Sequence, residues 1–188
     1  MVSDLRLGLP VVLTDADGAA MVLAVETLSP ARFQALSGPR HLVMTSRRAT
    51  ALGRDAQDGP VTLMPVAHSA RLDWLKALAD PTRRMPSASA LPHAAAQTPS
   101  DLHQAAIRLV KAAELVPAAL VISGPEVMET AQRHNFGILS AAEALEQTNA
   151  PRDPRPVSNA RVPMFAANAG RLHVFRAPDG GAEHYAIQ

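Results

Sequence analysis

Apolar residues fall into short blocks along this chain, and their spacing alternates between strand-like and helix-like. Val11–Thr14 and Met21–Val25 are compact apolar runs flanking a turn that holds Asp15, Asp17 and Gly18, which predicts two strands. Ser29-Pro30 reads as an N-cap followed by proline at the first helical position, opening a short helix through Leu36. His41–Met44 is a third strand, and Thr45 or Ser46 caps a helix ending at Gly53. Ser69–Ala79 sets Leu72, Leu75 and Leu78 at helical spacing, with Trp74 beside them, and stops at Asp80-Pro81. Met85–Thr98 is rich in Pro, Ser and Ala without periodicity and predicts a loop.

The strongest periodicity runs from Ser100 to Glu114, where apolar residues at 102, 105, 106, 109, 110 and 113 share one helical face. PAALVI (Pro117–Ile122) follows as a strand, and Ser123-Gly124-Pro125 opens a helix to about His134. Asn135-Phe136-Gly137 closes it, Ile138-Leu139 is a brief strand, and Ser140 caps AAEALEQ. This rhythm implies an α/β sandwich with a largely parallel or mixed sheet. Thr148–Ser158, TNAPRDPRPVS, has the composition of a linker. Beyond it RVPMF, RLHVFRA and EHYAI are strand-like pieces separated by Asn-Ala-Gly and Pro-Asp-Gly-Gly turns. They form a β-rich fragment with too few strands to close a core, the expected opening of a second domain. The boundaries read 1–147, 148–158 and 159–188.

Composition narrows the picture. With 188 residues, 18 basic, 17 acidic and a formal net charge of +1, the chain has no electrostatic case for nucleic acid or an anionic membrane. Zero cysteines exclude disulfides, thiolate metal sites and thiol nucleophiles. No apolar run approaches the roughly 18 residues a membrane helix needs, and MVSDLRLG lacks the layout of a signal peptide. A soluble, cytoplasmic protein is expected. Aromatics are only 3%, so the core must be built from Ala, Val, Leu, Ile and Met.

Candidate chemistry is sparse. Asp15 and Asp17 could supply carboxylates to a divalent cation, but Asp-x-Asp-Gly is also an ordinary turn sequence. The seven histidines (41, 68, 93, 103, 134, 173 and 184) never fall at i, i+4 ligand spacing. His103 is a functional candidate whose other reading is a solvated or capping residue; His134 suits the last turn of a helix. Arg47-Arg48 and Arg83-Arg84 could grip phosphate, though surface arginines are more often solvated. Trp74 fits a core better than a stacking platform. No GxSxG, P-loop or GxGxxG occurs.

The order of these pieces resembles 3,4-dihydroxy-2-butanone 4-phosphate synthase, the riboflavin-pathway lyase acting on ribulose 5-phosphate. The resemblance covers about Leu5 to Gln147 and rests on GLPVVLTDAD, VLAVETLSPARF, ALADP at 77–81, AAIRLVKAAELVPAALVI at 105–122 and RHNFGILSAAEAL at 133–145. The tail, VSNARVPMFAANAGRLHVFRAPDGGAEHYAIQ, is similar to the first strands of GTP cyclohydrolase II, which often follows the synthase in one polypeptide.

The departures carry more than the matches. The family's acidic turn has the form DDEDRENEGD, whose Arg, Glu and final Asp hold metal and substrate. Here TDADGAA, Thr14–Ala20, keeps Asp15 and Asp17 but has no Arg or Glu before Val25. The family's metal-ligand His falls on Leu102, with His103 one residue along and roughly 100° around the helix. Its Glu after the PAGVIC strand falls on Ser123, and the region between Gly53 and Ser69 is far shorter. The resemblance therefore implies a degenerate synthase-like domain with no catalytic residue, Asp15, Asp17 and His103 being weak candidates. It would be a scaffold, dimerisation or regulatory part of a GTP cyclohydrolase II-type protein. Its partners would be its own C-terminal cyclohydrolase-like domain and a second copy in a homodimer. No cofactor is expected in this segment: Mg²⁺ only if a rearranged synthase site survives, and Zn²⁺ only in a cyclohydrolase part. A surviving Mg-dependent lyase and a non-catalytic phosphosugar or nucleotide sensor are the alternatives.

Overall fold

The structure, a computed structural model, describes residues 1–83, 93–95, 97–149, 154–165, 167–177 and 183–188. It divides into two units, Met1–Thr148 and Asn149–Gln188.

The first unit is built on a six-stranded sheet. In chain order its strands are β1 (Val11–Asp15), β2 (Gly18–Ala24), β3 (Arg40–Thr45), β4 (Val61–Pro65), β5 (Ala118–Ser123) and β6 (Ile138–Ser140). They lie side by side as β4-β3-β5-β2-β1-β6. Only β1 and β6 run parallel, so the sheet is mixed, as the alternating pattern implies, but mainly antiparallel. Its helices are α1 (Val2–Arg6), α2 (Pro30–Ala35), α3 (Ser46–Ala51), α4 (Leu72–Ala79), α5 (Asp101–Ala112), α6 (Val127–His134) and α7 (Ala141–Asn149).

Strand alternation sorts the core into two. On β2, Met21 and Leu23 face a cluster that takes Phe33 from α2, Leu75 and Leu78 from α4 and Val127 from α6. Ala20, Val22 and Ala24 face the other, which takes Leu5 from α1, Ala105, Ile107 and Leu109 from α5 and Ala144 from α7. Successive side chains on a strand point to opposite faces, so a sheet covered on both faces reads as continuous apolar runs. Small alanines on both sides of the α5 contact let helix and sheet approach closely, which suits a chain so poor in aromatics.

Local signals set most of the element ends. Ser29 accepts the Arg32 N–H at 3.2 Å and Thr45 accepts the Arg48 N–H at 3.3 Å, so both predicted caps form. Ser140 and Glu143 close a reciprocal capping box on α7, with Ser140 N–H donating to Glu143 at 3.1 Å and Glu143 N–H to Ser140 Oγ at 3.2 Å. Asn135 ends α6 in the left-handed conformation, φ 54°.

Other expectations change. α1 and β4 lie where the pattern predicted no element. β4 is an edge strand whose border is covered by other chain: Ala95 N–H donates to Leu63 O at 2.7 Å, and the Gln57 amide donates to Ala95 O and Gln97 O at 2.8 Å. α4 begins at Leu72 rather than Ser69, and α6 at Val127 behind Glu126. Trp74 is half-buried against the core, as expected. Arg48 is not a solvated phosphate grip: its guanidinium donates to the α4 carbonyls of Leu78 (2.8 Å) and Ala77 (3.5 Å) and to Asp80 O (3.4 Å). Arg83 pairs with Asp80 at 3.4 Å; Arg84 and most of the 85–98 loop lie outside the described residues.

The second unit is a three-stranded antiparallel sheet, β7 (Arg155–Met164), β8 (Ala167–Arg176) and β9 (Glu183–Ile187), in that order. β7 starts inside the stretch read as a linker, and α7 runs into that stretch from the other side. Asn168-Ala169-Gly170 is no turn: Gly170 pairs with Val162 within the β7–β8 ladder. The reversal comes at Phe165, two residues after Pro163, and the Pro-Asp-Gly-Gly turn lies outside the described residues.

Candidate functional site

One end of the six-stranded sheet gathers the polar side chains. Asp15 ends β1 and pairs with Gly18, Ser123 ends β5 opposite Ala20, and Arg40 and His41 open β3 opposite Ile122 and Val121. The N-terminus of α5 joins them, because Ser100 Oγ–H donates to Asp15 Oδ2 at 3.3 Å. Sequence spacing could not find this cluster, since only the strand pairing and the seat of α5 make positions 15, 41 and 100 neighbours.

Both oxygens of Asp15 are engaged inside the chain. Oδ1 accepts the N–H groups of Asp17 (3.0 Å) and Gly18 (3.1 Å), an Asx turn that Gly18 permits at φ +141°. Asp17 is exposed and enters the turn through its backbone. His103 is 5% exposed, so the solvated reading of it is overturned and the capping reading stands. Its Nδ1 accepts the Ser100 N–H at 3.0 Å and lies 3.0 Å from Ser100 Oγ. A ring nitrogen accepting that N–H must be unprotonated. Burial foremost, then the charge of nearby His41, pushes the His103 pKa below the ordinary imidazole value, against an opposite pull from Asp15. His41 is lowered by burial as well. The structure thus brings Asp15 and His103 together through Ser100 and leaves Asp17 outside. Leu102, where the resemblance sets a metal-binding histidine, is buried in the core under α5. Among the described residues no three His, Cys, Asp or Glu side chains are grouped so as to hold a metal ion.

On the opposite face of the sheet a cleft of about 780 Å³ opens between α2 and α6. Met21, Leu23 and Ile122 line it together with Arg32 from α2 and Thr130 and His134 from α6. Its far wall carries the stacked rings of His134 and Phe136, with centroids 5.5 Å apart. Its volume and mostly apolar lining lie in the range of small-molecule pockets. Among the described residues no helix is long and apolar enough to cross a membrane.

Comparison with known proteins fits this architecture. No family model matches the chain. Against GTP cyclohydrolase-2 of Azospirillum brasilense it is 32% identical over 197 residues, which takes in 97% of this chain and 50% of that protein. The chain therefore spans about half the length of the curated relative it matches. Among solved structures, RibBX, a two-domain 3,4-dihydroxy-2-butanone 4-phosphate synthase from A. baumannii, superposes with a TM-score of 0.59 at 16% identity, covering 99% of this chain and 68% of that one. A 3,4-dihydroxy-2-butanone 4-phosphate synthase in complex with two magnesium ions gives 0.57 at 17% identity, covering 78% and 93%. The fold is that of the dihydroxybutanone phosphate synthases. The relative similar in sequence carries the cyclohydrolase name, and the structural neighbours carry the synthase name. Both family names in the expected resemblance are therefore found, in separate comparisons.

Proposed function

We propose that this chain is a synthase-fold domain without synthase chemistry, serving a GTP cyclohydrolase II-type protein of riboflavin biosynthesis as a scaffold, dimerisation or regulatory module. The observation that carries this reading is the closure of Asp15 and His103 upon Ser100. A Mg²⁺ centre takes carboxylate oxygens that face a cavity, and Lewis-acid enolisation of a sugar phosphate adds a free acid and base. Asp15 spends both oxygens on the turn and on Ser100, while His103 spends Nδ1 on the start of α5. Ser123 offers a hydroxyl where the family has a carboxylate. These residues do not fit a magnesium centre. In this reading the partners are a cyclohydrolase II-like domain of the same protein and a second copy of the chain.

Incubation with ribulose 5-phosphate and Mg²⁺ tests the proposal, and no turnover is expected. Measurable turnover that disappears in Asp15→Ala or Asp17→Ala would overturn it, because a rearranged site would then be at work. The cleft between α2 and α6 favours one further version, a ligand-sensing module. That version predicts thermal stabilisation by ribulose 5-phosphate, GTP or a flavin, growing as RT ln(1 + [L]/Kd) without turnover.

A further inference from the structure

Arg40 stands apart among the described charged residues of the first unit. It opens β3, yet its side chain is only 7% exposed. Each of its contacts is electrically neutral. Nη2 donates to Leu36 O at 3.3 Å and to His68 Nδ1 at 2.9 Å, and the guanidinium carbon lies 5.3 Å from the centre of the Phe33 ring. Nε is buried without a hydrogen-bond partner. Among the described residues no carboxylate stands within ion-pair distance of it. Arginine stays charged in proteins, and a cation withdrawn from water without a counter-charge is costly. A carbonyl, an imidazole and a ring face offset only part of that cost.

His68 is the contact that can yield. It is exposed, on the segment between β4 and α4. That segment is fixed to Arg40 by the Val66 N–H, which donates to Arg40 O at 2.9 Å. Arginine has no acceptor, so His68 Nδ1 accepts and the ring proton sits on Nε2. Turning this imidazole away breaks one hydrogen bond to an uncharged acceptor. An oxyanion in its place would meet the guanidinium with full opposite charge, in the planar fork geometry that carboxylates and phosphates prefer.

We propose that Arg40, capped by His68, is the base of an oxyanion-binding site that takes the phosphate or carboxylate group of a small molecule. This does not rest on the loss of synthase chemistry, since a chain with or without turnover would bind the anion equally.

The test titrates the intact chain with inorganic phosphate and, separately, with acetate, using chloride at matched ionic strength as the control. The His68 ring resonance is followed by NMR and the melting temperature by Trp74 fluorescence. A saturable shift at His68 with a dissociation constant of about 1 mM or tighter, together with a rise in melting temperature, is expected for at least one of the two anions. The stronger responder identifies the group as phosphate or carboxylate. R40M should lose both responses, while H68A should keep the stabilisation because the cap is dispensable. Should R40M fail to fold, R40K carries the test: it keeps the charge but not the fork, and affinity should fall at least roughly fivefold. No saturable response, a response matched by chloride, or full binding in R40M or R40K overturns the site. Binding lost in H68A but kept in R40M overturns it equally.

Discussion

The two units are made of equally strand-like sequence, yet their strands end in opposite environments. In the first, β5 is buried along almost its whole length between helices on both faces of the sheet. In the second, nearly every described residue of β7 and β9 is exposed, and Phe165, Tyr185 and Ile187 show their side chains to solvent. Alternation and β-branching are enough to make a strand pair. They do not make a core, which needs a second layer to receive the apolar face. The first unit has that layer because helices occur between its strands, whereas a short reversal joins β7 to β8.

The chain contains one tryptophan, Trp74 in the first unit, and one tyrosine, Tyr185 in the second, so the two can be followed separately during unfolding. The largest contrast is expected from paired truncations. Leu120→Ala, at a fully buried site, should cost about 3 kcal/mol by urea denaturation read at Trp74. Val157→Ala on exposed β7 should cost about 0.5 kcal/mol or less; a comparable loss there would mean that β7 is covered in solution. Gly8→Ala comes next, at about 2 kcal/mol. Gly8 has φ +68°, and an added Cβ would run into the carbonyl oxygen of Thr27. Ser100→Ala should cost about 1 kcal/mol through the start of α5, and it leaves Asp15 Oδ2 without its partner.

A histidine-linked pH dependence should appear in the first unit. His103 and His41 are both held below the ordinary imidazole value of 6.5 in the folded chain. The unfolded chain therefore binds more protons once the pH drops below that value. Stability should be full above it, decline as pH falls through it, and level off below the lowered folded values. His103→Gln should flatten part of this decline at Trp74; an unchanged slope would rule His103 out as its source. The smallest effect belongs to the second unit, where Arg176→Ala should leave the Tyr185 transition unchanged within error, because its pair with Glu183 is exposed.

How much could be read beforehand follows the same physics. α5, β5, α6 and α7 were legible because each is a periodic run with its own stop or cap nearby, such as Asn135 or Ser140. β4 was not, since VTLMP is short, ends in proline, and holds as a strand only beside β3 and under Gln57. For the site, Asp15 was legible as a turn residue and His103 as a capping candidate. Arg40 and His68 carried no signal at all: a lone arginine after a proline and a lone histidine in a loop become notable only when one is buried against the other.

By itself the sequence determined the alternation of strand and helix, the aromatic-poor core, the caps at Ser29, Thr45 and Ser140, and an acidic turn followed by no arginine or glutamate before Val25. These depend on residues a few positions apart, within reach of local backbone hydrogen bonds and helical or pleated periodicity. Tertiary structure alone decided the order β4-β3-β5-β2-β1-β6, the meeting of Asp15 with Ser100 across 85 positions, and the burial of Arg40 behind His68. Each of those depends on which strands pair, and pairing is settled by burial over the whole sheet, which no local window of sequence contains.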